Sequence, residues 1–423
     1  MNKSLLKQVI LDQAEVIRKS EIIERKYSFE KSMNYVLVGL RRAGKSTLLY
    51  RIARELVARG SDWSQIIYVN FEDDRLLGFS KDDFNDILET AHELCNQKEI
   101  YYFFDEIQII DGWEHFARRL ADQKKHVCIT GSNAKMLSSE MEKVLGGRYL
   151  SKTILPFSLS EVCDYKQVEH DEKALLTTEK NALIRRTCQE YLSGGGLPES
   201  LNLINKREYL KSVYEKVLLG DILEREQVKN KMALRLMIKK IAETVMHELS
   251  FNTLAGNIKA SGVKTSTDSM IDYVSYAENA YLIFRTQNYV SKFAEKEGTP
   301  RFYFYDNGIL SLFLVDKSSI LLENAVAVHL KRLCGEEVYY YKSRQTGIDI
   351  DFYLPESGTA LQVAFSLEEA EEREVKSLVS FAKKSEDEVK LMIITGDEEK
   401  TIEKDGFKIE VLPVHKFLLR EEM

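Results

Sequence analysis

Apolar residues recur with a helical period at the start of the chain. Leu5, Val9, Ile17 and Ile22-Ile23 predict an amphipathic helix from residue 1 to about residue 30. Short apolar runs then alternate with helical stretches. They predict strand 35–38, helix 45–58, strand 66–71, helix 82–96, strand 100–104, helix 113–123 and strand 127–130. Strands separated by helices imply a parallel, doubly wound sheet with its ligand outside the carboxyl ends of the strands. Residues 157–230 read as helices interrupted by Ser193-Gly-Gly-Gly-Leu-Pro-Glu199. Residues 233–290 read as helix, helix, turn, helix and a strand Tyr281-Leu-Ile-Phe284, the pattern of a winged helix. Strands and helices return from about residue 300, through Phe302–Tyr305, Glu337–Tyr341, Ile348–Leu354, Leu361–Phe365 and Val389–Thr395. No internal repeat or low-complexity linker interrupts the chain.

The first strand runs into Gly39-Leu40-Arg41-Arg42-Ala43-Gly44-Lys45-Ser46, followed by Thr47 and a helix. This fits the phosphate-binding pattern G-x-x-x-x-G-K-[ST] in its proper strand–loop–helix setting. Glycines let the backbone wrap so that successive N–H groups face phosphate oxygens, and the helix N-terminus adds partial positive charge. Lys45 is expected to reach the β- and γ-phosphates of a nucleoside triphosphate, and the Ser46 hydroxyl to ligate Mg²⁺. The strand 100–104 delivers Asp105-Glu106 to the same edge. Asp105 is expected to hold Mg²⁺ through water and Glu106 to polarise the attacking water, which points to hydrolysis. Asn133, just past the strand 127–130, could orient that water or sense the γ-phosphate. A turn-forming role after a strand is the competing reading.

Composition narrows the setting. A chain of 423 residues predicts two or three domains, and 44% hydrophobic residues suffice for their cores. No apolar run approaches the ~18 residues of a membrane span, and the N-terminus lacks a signal-peptide core. Cys95, Cys128, Cys163, Cys188 and Cys334 show no paired metal spacing, which predicts reduced thiols in a cytoplasmic protein. Sixty Lys and Arg against 67 Asp and Glu give a formal charge of −7, which argues against unspecific wrapping of nucleic acid.

The stretches GLRRAGKSTLL, FFDEIQ, ITGSNAKMLSSE, LGGRYL and GGLPES together resemble a widespread prokaryotic group of AAA-related ATPases close to the STAND-like P-loop NTPases. YFYDNGIL (303–310), Glu323 on a helix, and IDIDFYL (348–354) followed by LQVAF resemble that group's C-terminal PD-(D/E)XK nuclease-like domain. The resemblance implies an α/β fold: a P-loop NTPase parallel sheet with a helical lid, a winged helix and a C-terminal α/β nuclease-like domain. The expected boundaries are 1–155 for the P-loop core, 156–230 for the lid, 231–295 for the winged helix and 296–423 for the tail. It also implies that Arg148, after Gly146-Gly147, contacts the γ-phosphate in cis or across a subunit boundary of a homo-oligomer. An arginine paired with a surface carboxylate is the competing reading. Pro198 resembles the Gly-x-Pro proline that packs on adenine, and it also suits the start of a helix after a glycine turn.

The tail sets chemistry against fold. A PD-(D/E)XK site needs one acid on a strand and an acid-x-lysine on the next, so that carboxylates hold Mg²⁺ and lysine positions water. Asp351 and Glu323 suit the first requirement, with Asp349 on the same strand face. The acid-x-lysine position reads Gln362-Val363-Ala364, an amide and no cation, so Lys342 or Arg344 would have to substitute. The winged-helix segment Ser266–Glu278 carries three acids and no Lys or Arg, so it would repel DNA rather than grip it. The expectation is a Mg²⁺-dependent ATPase whose ATP cycle switches the arrangement of its parts, with a protein partner and no membrane. The alternatives are a nucleic-acid-processing protein whose tail binds or cleaves DNA, and a nucleotide-gated interaction scaffold with little turnover.

Overall fold

The computed structural model describes residues 1–30, 32–137, 143–315, 318–368 and 370–423. The chain folds into two units, residues 1–154 with 279–281 and residues 155–278 with 282–423. No helix among the described residues is long and apolar enough to cross a membrane.

The first unit runs α1 (Lys3–Lys19), β1 (Asn34–Val38), α2 (Lys45–Ala58), β2 (Ile66–Asn70), α3 (Phe84–Leu94), β3 (Tyr101–Asp105), α4 (Trp113–Asp122), β4 (His126–Gly131) and β5 (Tyr149–Thr153). Its sheet is wholly parallel, in the order β2-β3-β4-β1-β5. All five residues of β1 are buried, the signature of a strand covered on both faces. Tyr35 and Leu37 of β1 join Leu48, Leu49 and Ala53 of α2 and Ile17 of α1 in one core. The order places β4 between β1 and β3, so the tip of β4 can touch residues delivered by both.

Two expectations need correction here. The N-terminal helix ends at Lys19 rather than near residue 30. Arg54 of α2 donates to the carbonyls of Arg18 and Ser20, both at 2.9 Å, and Arg51 donates to those of Arg25 and Tyr27. These carbonyls thus serve α2 instead of a continuing helix, and Ile22 and Ile23 lie beyond α1. The other correction is β5, a strand absent from the apolar pattern. Its residues are mostly exposed because it is an edge strand, and its order comes from pairing Asn34–Val38 with Tyr149–Thr153. Beyond it, the Ile154 N–H donates to the Val38 carbonyl at 2.7 Å. Within ITGSNAKMLSSE, positions 138–140 lie outside the described residues.

The second unit begins with helices, among them Leu159–Tyr165, Thr178–Gly194 and Lys206–Lys216, and continues with Lys231–Glu243, Phe251–Ala260 and Thr267–Asn279. A mixed eight-stranded sheet follows, built from β6 (Ile283–Asn288), β7 (Arg301–Phe304), β8 (Tyr339–Ser343), β9 (Ile348–Leu354), β10 (Thr359–Ala364), β11 (Lys390–Thr395), β12 (Lys400–Lys404) and β13 (Phe407–Pro413). Its order is β12-β13-β11-β10-β9-β8-β6-β7. The strand expected at 281–284 is β6, which pairs with β7 and with β8, so a single sheet runs across position 295.

Candidate functional site

The loop between β1 and α2 is built by two glycines in backbone conformations that other residues rarely adopt. Gly39 has φ of +146° and Gly44 has φ of +93°. A Cβ on Gly39 would overlap the Ile154 carbonyl oxygen, so β1 can turn into the loop there only without a side chain. Gly44 is the N-cap of α2, and no side chain caps that helix. The helix start is therefore not capped by a side chain, and the helix dipole there favours an anion. Arg41 pairs with Glu72 at 2.8 Å, and Arg42 takes a left-handed φ of +66°. Leu40 and Ala43 close the turn through an Ala43 N–H to Leu40 carbonyl bond of 3.1 Å. Thr47 follows in the first turn of α2.

Lys45 is buried, with 4% of its surface exposed. Its Nζ donates to the carbonyls of Gly39 at 3.0 Å and Leu40 at 3.2 Å, and stands 3.9 Å from Glu106 Oε1. Asp105, at the end of β3, accepts hydrogen bonds from the Tyr68 hydroxyl at 2.6 Å, from the Thr130 hydroxyl, and from Ser46. Burial raises the Asp105 carboxyl above its usual range, the neighbouring Glu106 adds to this, and the three hydroxyls oppose it. For Glu106 burial is the largest influence and pushes the same way, but Lys45, Arg41 and hydrogen bonds from Gln108 and Ser132 together hold the carboxyl below its usual range. Ser46, Lys45, Asp105 and Glu106 thus form one buried cluster at the carboxyl ends of β1 and β3.

The apolar pattern missed four residues that shape this cluster. Thr130, at the tip of β4, donates its hydroxyl to Asp105 Oδ1 and accepts the Glu106 N–H at 3.0 Å. That bridge helps hold Glu106 in a left-handed backbone with φ of 54° and ψ of 37°, uncommon for a residue with a side chain. The Glu106 carboxylate accepts from Gln108 Nε2 at 2.6 Å and from Ser132. Gln108 Oε1 is buried without a hydrogen-bond partner among the described residues. Tyr68 completes the support. A polar residue closing an apolar strand was the available signal for Thr130, while Tyr68 and Gln108 are visible only in three dimensions.

The donor set fits a nucleoside triphosphate with Mg²⁺. The loop offers an uncapped helix start and a buried ammonium group. Ser46 and Asp105 are paired hard oxygen donors of the kind Mg²⁺ takes.

The other expected residues are placed less directly. Asn133 is buried, and its Oδ1 accepts the Lys135 N–H at 2.8 Å, a local turn contact. Arg148 pairs with Asp122 at 2.5 Å and keeps about a third of its side chain exposed. Pro198 belongs to the second unit and opens the turn Pro198–Ser200. The glycines before it are held by the turn at 306–308: the Gly196 N–H donates to Asp306 Oδ2 at 2.8 Å, and a Cβ on Gly195 would overlap Asp306 Oδ1. Burial pushes the Asp306 carboxyl up to about 6, against hydrogen bonds from the N–H groups of Gly196, Ile309 and Gly308.

In the tail, Glu323, Asp351 and Gln362 do meet, but around a cation of the chain's own. Arg301 of β7 is 2% exposed, with its guanidinium 2.7 Å from Asp349 and 3.2 Å from Asp351. Glu323 accepts the Tyr303 hydroxyl at 2.9 Å, and burial, reinforced by Asp351, lifts its carboxyl to about 8. Gln362 spends its amide on the backbone of β9: its Oε1 accepts the Asp351 N–H and its Nε2 donates to the Asp349 carbonyl, both at 2.8 Å. Lys342 reaches Asp349 at 3.3 Å and Glu248 at 3.1 Å. Among the described residues no group of three or more His, Cys, Asp or Glu is arranged to hold a metal ion.

Comparison with known proteins agrees with the first site. Residues 31–163 match an AAA domain, and residues 185–319 match a domain of unknown function, DUF8612. The uncharacterized protein MJ1544 of Methanocaldococcus jannaschii is 32% identical over 434 residues, covering 99% of this chain and 96% of that protein. An uncharacterized protein of Haemophilus influenzae is 28% identical over 394 residues, covering 91% of this chain and 94% of its own length. Among solved structures, the Walker-type ATPase PABY2304 of Pyrococcus abyssi is 14% identical, covers 70% of this chain and 99% of that one, and superposes with a TM-score of 0.44. The chain belongs to the family of MJ1544, and its residues 31–163, which carry the P-loop, match an AAA domain.

Proposed function

We propose that the protein binds ATP with Mg²⁺, hydrolyses it, and uses the cycle to change how its parts are arranged. The observation that carries this reading is the buried cluster of Lys45, Ser46, Asp105 and Glu106. Two opposite charges and a hydroxyl–carboxylate pair meet there beyond the carboxyl ends of β1 and β3. Lys45 is the group that would exchange its loop carbonyls for β- and γ-phosphate oxygens. Ser46 and Asp105 would hold Mg²⁺, which when bound neutralises charge developing on the transferred phosphoryl group. Glu106 is the base for water, aimed by the Thr130 and Gln108 contacts. Asn133 is assigned to orienting that water and Arg148 to stabilising the γ-phosphate. For Arg148 this requires release from Asp122, whose exposed pairing is worth under ~1 kcal/mol. Pro198 is assigned to the adenine.

The STAND-like, winged-helix and nuclease-like readings of the second unit belong to the same proposal. The tail is read as a retained scaffold, supported by Arg301 on its carboxylates and by the amide at Gln362. The test is Glu106→Gln beside Asp105→Asn. The first should retain bound ATP and hydrolyse it slowly, and the second should weaken Mg²⁺-dependent binding itself. Wild-type turnover in Glu106→Gln would assign the base elsewhere.

A further inference from the structure

A run of aromatic rings in the second unit is assigned no part in nucleotide binding. Tyr339, Tyr289, Tyr353, Phe381 and Tyr341 form a continuous wall, with successive ring centroids 5.5, 4.8, 5.1 and 4.8 Å apart. Strands β8 and β9 supply three of these rings, the end of the helix Glu371–Ala382 a fourth, and the residue after β6 the fifth. Most of the wall, including Tyr289, Tyr341, Tyr353 and Phe381, lines an open cleft of about 680 Å³. That volume falls within the ~300–1,000 Å³ usual for ligand sites.

The rim is acidic. Glu356, Glu386, Asp387 and Glu388 line the cleft against the single ammonium group of Lys384. All four carboxylates are exposed, and none forms an ion pair with another described residue. Many other carboxylates of this unit, such as Glu215, Glu278 and Asp405, have found a cation. The hydroxyls of Tyr289, Tyr341 and Tyr353 likewise make no hydrogen bond among the described residues. One edge of the wall already holds a cation: Lys296 Nζ lies 5.8 Å from the Tyr289 ring centroid and 5.9 Å from that of Tyr339.

We propose that this cleft receives an arginine-bearing basic peptide segment of a partner protein. Ring faces attract cations, and a guanidinium is planar, weakly hydrated and able to stack on tyrosine while its N–H groups reach carboxylates at the rim. Phenol hydroxyls at the wall supply acceptors for the remaining donors. Bases of a single-stranded nucleic acid would also stack on such rings, but their phosphates would meet four unpaired carboxylates.

The test uses the full-length protein and a fluorescein-labelled, amidated peptide with two arginines flanked by glycines. The control peptide carries citrulline, a neutral isostere, in their place. Saturable binding of the arginine peptide is expected, weakening with salt and lost with citrulline. Tyr289→Ala, at a ring that is 40% exposed, should weaken binding roughly 3- to 10-fold. The triple loop variant Glu386→Gln, Asp387→Asn, Glu388→Gln should weaken it at least tenfold, as ~1.4 kcal/mol of lost charge attraction requires. ATP turnover should stay unchanged in both variants. Four results would each overturn the proposal: no binding at ~1 mM peptide, equal binding of the citrulline peptide, binding indifferent to both variants, or Tyr289-dependent binding of oligothymidylate.

Discussion

Replacing Arg301 by methionine removes the positive charge from the tail's carboxylate cluster while filling similar space. In the wild type the guanidinium touches Asp349 and Asp351 and lies 4.6 Å from the Tyr340 ring centroid. Asp349 keeps Lys342 in the variant, but Asp351 and Glu323 lose the cation nearest to them. Breaking a buried pair by deleting one partner costs about 3–5 kcal/mol, because the other charge stays buried. At roughly 2–4 °C per kcal/mol for a unit of this size, thermal unfolding should fall by roughly 6–20 °C near pH 8. The deficit should depend on pH with a definite sign. Glu323 already titrates at about 8 when folded, and Asp351 is raised above its ordinary value. Glu323 is already mostly protonated at neutral pH, so the further rise of Asp351 without Arg301 is what lets the folded variant hold more protons than the folded wild type there. A state that binds an extra proton gains about 1.4 kcal/mol for each unit by which pH falls. The deficit should therefore shrink as pH falls from 8 to 5.5. Urea melts followed by circular dichroism at pH 8 and pH 5.5 measure both values. A variant as stable as wild type, or a deficit unchanged between the two pH values, would refute Arg301 as the counter-ion of this cluster.

Thr130→Val leaves the Glu106 N–H and one Asp105 oxygen without their shared partner, which should cost about 1–3 kcal/mol of stability and lower turnover more than ATP affinity. Unaltered turnover would mean that the bridge does not set the geometry of the carboxylates. Mixing Arg148→Ala with Lys45→Ala should restore partial turnover if Arg148 acts across a subunit boundary. No rescue, together with turnover per chain that is independent of protein concentration, would assign Arg148 a role within its own chain. Incubation with Mg²⁺ or Mn²⁺ should leave single- and double-stranded DNA uncut with or without ATP, and cleavage abolished by Asp351→Ala would reverse the reading of the tail.

What could be read along the chain depended on how locally each feature is encoded. The P-loop was legible because its glycines, lysine and serine act through their own backbone segment. Strands β1 to β4 were legible because burial on both faces makes them apolar runs. Strand β5 was not, since an edge strand is ordered by hydrogen bonds to β1 and most of its residues stay exposed. The end of α1 was hidden for a related reason: it is decided by Arg51 and Arg54, more than 30 residues downstream. Thr130 and Arg301 each work by touching residues from other strands, and neither has a local pattern. The glycines of SGGGLP read as a flexible turn. Their small size also serves close approach, since Asp306 and the Phe157 carbonyl occupy the space where side chains of Gly195 and Gly196 would lie.

Ile154 has two neighbours that give it unusual reach. It is the last residue of the first unit before the chain enters the second at Leu155, and its peptide groups clasp both Val38 and Gly39. The covalent exit is thus fastened to the loop that would hold phosphate, with no slack between them. A side chain at position 39 would have to push the Ile154 carbonyl aside, next to its bond to Val38. Within the proposed cycle, a shift of the loop would reach the exit through backbone alone. In that cycle, substitutions at position 39 would report on transmission as well as on binding, so a Gly39→Ala protein that still held nucleotide would be expected to lose the link between occupancy and movement.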